Sequence, residues 1–156
     1  MKLLIKQRVF SVGDTYDIYD ESGNVKYFVK EKIVSVGYNI YIYDENHNEV
    51  AVIHQKIISL LPVFEIQVNG SVIGSISKKL TLFQPEYKVD FNGWWVEGDI
   101  LGWDYKVYNG FSPVAQISKE LFRWGDTYVI DFTNPVDELY GILLVIAIDA
   151  ANRSNK

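Results

Sequence analysis

The sequence predicts a mainly β protein, a closed antiparallel barrel of about twelve strands enclosing one apolar C-terminal α-helix. Three observations carry this expectation. A unit of strand, polar turn, strand and corner repeats along the chain. Inside each unit, apolar and polar residues alternate with period two. After Phe132 the alternation stops and gives way to a continuous apolar run, Leu139 to Ile148. The length, 156 residues, suits one domain spanning 1–156.

The repeat is clearest at its corners. Gly13-Asp14-Thr15-Tyr16 recurs as Gly125-Asp126-Thr127-Tyr128, with Val9-Phe10 matching Leu121-Phe122 and Ile18 matching Ile130. Degenerate copies run Ile33 to Ile40, Ile57 to Ile66, Leu80 to Val89 and Leu101 to Val107. Each corner leads into an aromatic strand start: Tyr16, Tyr38, Phe64, Tyr87, Tyr105 and Tyr128. The strand before the corner repeats too. Val114 to Leu121 parallels Ile73 to Leu80 and Val50 to Ile57.

Alternation supplies the strands. Phe64, Ile66 and Val68 share one face, while Glu65, Gln67 and Asn69 share the other. Tyr87, Val89 and Phe91 behave likewise, as do Tyr128, Ile130 and Phe132. Between strands stand turn residues: Asp20 to Asn24, Asp44 to Asn48, Asn69-Gly70, Asn92-Gly93 and Asn109-Gly110. Asn-Gly favours tight hairpins because both residues tolerate positive φ. An opening strand near Ile5 to Val9, five hairpins and a last strand Thr127 to Phe132 make the twelve.

The helix follows from the C-terminal run. Asn134-Pro135 is an N-cap followed by proline at the first helical position. Asp137 and Glu138 put negative charge in the first turn. Leu139 to Ile148 is apolar on every side, and Asp149 ends the run, so the segment belongs in a core. A bilayer span needs about 20 apolar residues, more than this run offers. Ala51, Gly74 and Ala115 fall at one repeat position, where small residues would let the helix sit close.

Composition narrows the function classes. Twenty acidic residues against fifteen basic ones give a net charge of −5, which argues against nucleic acid as a partner. With no cysteine, disulfides, thiolate catalysis and cysteine metal sites are excluded. The apolar run at Met1 to Lys6 is too short for a signal peptide, so a cytoplasmic location is expected.

The second half carries a specific resemblance. Val96-Glu97-Gly98-Asp99-Ile100, Asp104 to Val107, Val114 to Lys119, Gly125 to Tyr128 and an apolar helix closing on Ala147-Ile148-Asp149 together resemble the LURP-one-related family. That family is similar in fold to the tubby C-terminal domain and to phospholipid scramblases. The resemblance covers nearly the whole chain and implies a twelve-stranded barrel around a central helix. Tubby-like relatives bind phosphoinositides through basic side chains and act as membrane-tethered regulators. No run here matches that basic site, so no ligand residue carries over. Scramblases carry an acylated cysteine-rich segment, which this chain lacks.

Candidate chemistry is sparse. Asp44-Glu45-Asn46-His47-Asn48 opens like a calcium loop, but the sixth and twelfth positions hold Glu49 and Gln55 where glycine and glutamate are required. A hairpin turn accounts for it better. The histidines, His47 and His54, lack convergent partners. Ser77 and Ser118 sit in mid-strand with no nucleophile elbow, and corner capping explains Asp14 and Asp17. Trp94 and Trp95 must face opposite ways, so one points outward.

The lysines at strand ends form the one candidate site. Lys32, Lys56 and Lys79 share a repeat position, and Lys78 and Lys119 share the next. On a regular barrel these gather at one rim and would hold an anionic headgroup, a phospholipid or phosphoinositide-like group. The competing reading is charge that guards strand ends, with Glu31 and Glu120 diluting the rim. The expected function is a non-enzymatic binding or membrane-tethering module without a cofactor, peripheral to the membrane where the rim meets lipid. The alternative is a structural or regulatory module whose partner is another protein.

Overall fold

The computed structural model describes residues 1–6, 15–34, 37–56, 60–83, 85–122 and 125–153. The first copy of the Gly-Asp corner, the Ile57 to Ser59 part of another corner, and Trp124 lie outside these. Twelve strands precede the helix. They are β1 (Lys2–Lys6), β2 (Thr15–Asp20), β3 (Val25–Val34), β4 (Gly37–Asp44), β5 (Glu49–Lys56) and β6 (Val63–Val68). Then come β7 (Ser71–Lys79), β8 (Glu86–Val89), β9 (Trp94–Asp99), β10 (Asp104–Asn109), β11 (Ser112–Phe122) and β12 (Gly125–Phe132). A 3₁₀ turn (Pro135–Asp137) leads into α1 (Glu138–Arg153).

All the ladders are antiparallel, and β1 pairs with both β2 and β12, which joins the two ends of the strand sequence. The sheet runs β8-β7-β6-β5-β4-β3-β2-β1-β12-β11-β10-β9. Its two edges are therefore β8 and β9, the strands joined by residues 90–93. The barrel is nearly closed, with a seam where the sequence expects an Asn92-Gly93 hairpin ladder. Gly93 does take the expected positive φ of 75°. Asp90 turns back to β7 instead. Its carboxylate accepts from the Ser75 amide at 2.6 Å and the Ser75 hydroxyl at 2.9 Å, so the segment is tied to the β7 side of the seam.

The inner face is the one that alternation selects. Ile18, Ile40, Ile42, Ile53, Ile66, Ile117 and Ile130 are fully buried. The aromatic strand starts Tyr16, Phe64, Tyr87, Tyr105 and Tyr128 are buried with them. In α1, the seven residues Ile142 to Ile148 are each no more than 2% exposed. Successive helical residues point about 100° apart, so seven in a row sweep every direction. Burial on all sides means the sheet surrounds the helix.

The helix begins as expected: the Asn134 side chain accepts from the Val136 amide at 3.0 Å, with Pro135 next. It ends later, since α1 continues past Asp149 to Arg153 and buries Ala150 and Ala151. One charged residue does not stop a helix whose next residues are alanines, the strongest helix formers. The small-residue expectation at Gly74 needs correction. A Cβ there would meet Phe91 Cβ at 2.7 Å and the Asp90 carboxylate, so the glycine makes room for the 90–93 turn rather than for the helix. Ala51 and Ala115 do face inward, 2% and 4% exposed.

Two turns show the repeat at atomic detail. Asp20 Oδ1 accepts from the Ser22 and Asn24 amides at 2.9 Å, and Asp44 Oδ1 accepts from the Asn46 and Asn48 amides at 2.9 Å. Gly23 and His47 occupy the matching left-handed position, φ 84° and 64°. Both carboxylates are held by backbone donors, which draw their pKa values below the ordinary 3.8. The calcium-like string Asp44 to Asn48 is a hairpin turn.

Candidate functional site: the corner end of the barrel

Chain links after β2, β4, β6, β8 and β10 lie at one end of the barrel, the hairpin end. Links after β1, β3, β5, β7, β9 and β11 lie at the other, the corner end. The helix enters from the hairpin end after β12 and finishes at the corner end, where the Tyr87 hydroxyl donates to Asn152 Oδ1.

All five candidate lysines sit toward the corner end, but they do not form one patch. Lys32, Lys56 and Lys79 have the outward parity of β3, β5 and β7, on alternate strands. Lys32 lies over the Tyr41 ring, 5.1 Å from its centroid. Lys56 pairs with Glu65 at 3.1 Å, and this contact depresses the Glu65 pKa. Lys78 and Lys119 share inward parity with Ile76 and Ile117. Lys78 is paired in register with Tyr87, at the level of the last helical turn, where the partial negative charge of a helix end favours a cation. Lys119, on β11, is six strands from β5 in the sheet order, on the opposite wall. Glu31 is 2% exposed and faces inward, so it does not dilute the rim as expected.

Side chains that the charge pattern did not single out complete one arc of this end. Leu60, Leu80, Leu82 and Phe83 are 105%, 87%, 93% and 94% exposed, essentially standing free in water. They lie in the described stretches 60–62, before β6, and 80–83, after β7. The Lys78 amide donates to the Pro62 carbonyl at 3.1 Å, continuing the β6–β7 register beyond Val63↔Ser77. That bond brings the 60–62 stretch toward the end of β7, while Leu60 and Leu80 each keep their side chains in solvent. Among the described residues no carboxylate forms an ion pair with Lys78 or Lys79. The sequence signal was present in Leu60-Leu61 and Leu80-Thr81-Leu82-Phe83, apolar residues in turns where polar ones are the rule.

Beyond the seam the character changes. Leu101, in the β9–β10 corner, is 63% exposed, but Asp99 and Asp104 face each other directly beneath it. The apolar arc thus ends at β8, whose first residue, Glu86, stands in register with Lys79.

The other sequence candidates have structural roles. His54 Nδ1 contacts Asn39 Oδ1, and His47 stacks on Phe28 with centroids 4.7 Å apart. Trp94 is buried and Trp95 is 41% exposed, on opposite faces as alternation requires. Trp95 stacks on Tyr108 at 4.7 Å, and its indole N–H donates to the Gly110 carbonyl at 2.8 Å. No helix among the described residues is long and apolar enough to cross a membrane.

Comparison with known proteins agrees with this architecture. An uncharacterised protein of Bacillus subtilis strain 168, YxjI, is 28% identical over 149 residues, 96% of this chain and 92% of that one. A crystallographically solved Arabidopsis thaliana protein superposes with a TM-score of 0.62 at 20% identity, covering 95% of this chain and 89% of its own; at that identity it speaks for the fold alone. The LURP-one-related family model matches residues 1–149, and with the barrel, the enclosed helix and the shared motifs this places the chain in the LURP-one-related family.

Proposed function

We propose that this protein is a non-enzymatic module that docks peripherally on anionic lipid surfaces through the corner arc of β5 to β8. The observation that carries the reading is the set of large apolar side chains, Leu80, Leu82 and Phe83 after β7 and Leu60 before β6, standing in water, with Lys78 and Lys79 directly preceding Leu80 in the chain. Contiguous exposed apolar surface rimmed by polar groups marks an interaction site. Burying a Leu or Phe side chain is worth about 1.5–3 kcal/mol, and a lysine near an anionic leaflet about 1 kcal/mol. The apolar term is thus the larger, and the lysines add preference for negative lipid. A net charge of −5 opposes such docking at long range, so the arc has to act locally. The non-enzymatic part rests on the barrel interior, which α1 fills.

The test is co-sedimentation with vesicles of phosphatidylcholine alone and with added phosphatidylserine or a phosphoinositide. Tighter binding to the anionic vesicles is expected, and indifference to all of them at low salt overturns the reading. A second reading, a protein-interaction module without a small ligand, draws on Phe111, fully exposed beside the Trp95–Tyr108 stack at the hairpin end. A stoichiometric partner whose capture is lost in Phe111→Ala would favour it.

A further inference from the structure

We infer that residues 80–83 form an insertion tip: Leu82 and Phe83, with Leu80 behind them in the chain, enter the boundary between headgroups and acyl chains of a loosely packed anionic bilayer. This rests on the lipid-docking reading and adds how the surface is held and which surface is chosen. Three features lead to it. The tip residues Leu82 and Phe83 are more than nine-tenths exposed and follow the exposed Leu80, so a membrane would receive several apolar side chains from one short stretch. Lys78 and Lys79, the last two residues of β7, lie at the base of the tip, with Glu86 of β8 in register with Lys79, and would meet headgroups once the tip has entered. The neighbouring corner across the seam has Asp99 opposite Asp104 at its base, which an anionic surface repels. The barrel is therefore expected to tilt toward β5–β8 and away from β9–β10.

With few cations and an acidic chain, electrostatic attraction alone holds the module weakly. Insertion then becomes the main contribution, and it needs gaps between headgroups. Interfacial insertion of this kind is sensitive to curvature and lipid composition. Small, highly curved vesicles are expected to bind several-fold tighter than large vesicles of the same composition.

The chain contains no cysteine, so single labels are unambiguous. Leu82→Cys, carrying an environment-sensitive fluorophore, is compared with Phe111→Cys at the hairpin end on phosphatidylserine-containing vesicles. The expected result is a blue shift at position 82 with quenching by shallow nitroxide lipids, and no change at position 111. In parallel, Leu82→Ser/Phe83→Ser should weaken partitioning by about ten-fold or more, with the melting temperature unchanged because both side chains are already in water. If wild type binds but the probe at 82 stays in water and the double variant binds equally well, docking is purely electrostatic; the insertion inference falls and the lipid-docking reading survives. Equal shifts at both positions mean unoriented adsorption and overturn the inference. No vesicle binding at all removes both. A stable dimer in light scattering that the double variant abolishes would assign the patch to a second copy and overturn the inference as well.

Discussion

Gly141 of the helix packs against the Phe132 ring so closely that a Cβ on the glycine would overlap the ring edge at Cε1 and Cζ, the latter at 2.8 Å. Phe132 is the last residue of β12, 3% exposed, and Gly141 lies in the first turns of α1. The chain reverses between them and enters the barrel. This is where the helix is fitted to its sheet, and an added methyl has nowhere to go. Gly141→Ala is expected to destabilise by about 1–3 kcal/mol despite alanine's better helix propensity. Phe132→Leu in the same chain should recover part of that loss, as read by denaturant midpoints. A more stable Gly141→Ala single variant would contradict the packing.

The enclosed helix makes a second prediction. Leu144 is fully buried among residues buried on every side. Leu144→Ala should cost about 2–5 kcal/mol, as core truncations do when the surroundings cannot collapse. A change below about 1 kcal/mol would place the helix at the surface.

Tyr105 carries a buried hydroxyl with no hydrogen-bond partner among the described residues. Removing an unsatisfied polar atom while keeping the ring should be neutral or stabilising by up to about 1 kcal/mol, so Tyr105→Phe is expected to fold at least as well as the parent at neutral pH. Burial, then the nearby Asp149 carboxylate, raises the Tyr105 pKa and pushes that of Tyr87 up to about 12 from 10.0. Folding favours the protonated form, so this contribution is complete below pH 10 and is lost as pH rises through the folded pKa values. Alkaline unfolding should therefore set in above about pH 10 and be less steep in Tyr105→Phe, measured by circular dichroism against pH.

At the acid end the two matched turns act in the opposite sense. Asp20 and Asp44 have pKa values below 3.8 because backbone amides hydrogen-bond their carboxylates, Asn24 and Asn48 contributing most. Their contribution is present above the unfolded pKa and is lost as pH falls through the folded values. Asp20→Ala/Asp44→Ala should lower stability at pH 7 and flatten its dependence below about pH 4. A pH profile parallel to wild type would remove these turns as the source.

The candidate surface predicts asymmetry around the rim. Lys78→Gln/Lys79→Gln should weaken binding to anionic vesicles by about ten-fold or more, at roughly 1 kcal/mol per lysine charge removed. Lys119→Glu, on β11 across the seam and four strands from β7, should leave it unchanged. Equal effects from both would mean that the rim acts as a whole.

Local pattern was enough to specify much of this molecule. Period-two alternation chose the inward isoleucines, because successive strand residues must point to opposite faces. The Asn134-Pro135 start and the apolar run behind it selected a helix that could only be buried. The polar stretches Asp20 to Asn24 and Asp44 to Asn48 were legible as turns, since an aspartate carboxylate can hold the amides that follow it.

Other features depend on contacts between residues far apart in the chain. β8 and β9 are left as the two edges of the sheet, and the Asp90 carboxylate beside that seam is held by Ser75, fifteen residues earlier. Residue spacing placed the five lysines at one end but could not put them on one wall, because position around a barrel follows strand order and parity. The exposed leucines were written in the corners all along, yet an apolar residue in a sequence does not say which side of it is water. Only the tertiary structure left Leu60, Leu80, Leu82 and Phe83 in water, because the barrel interior was already filled by α1 and the inward strand residues.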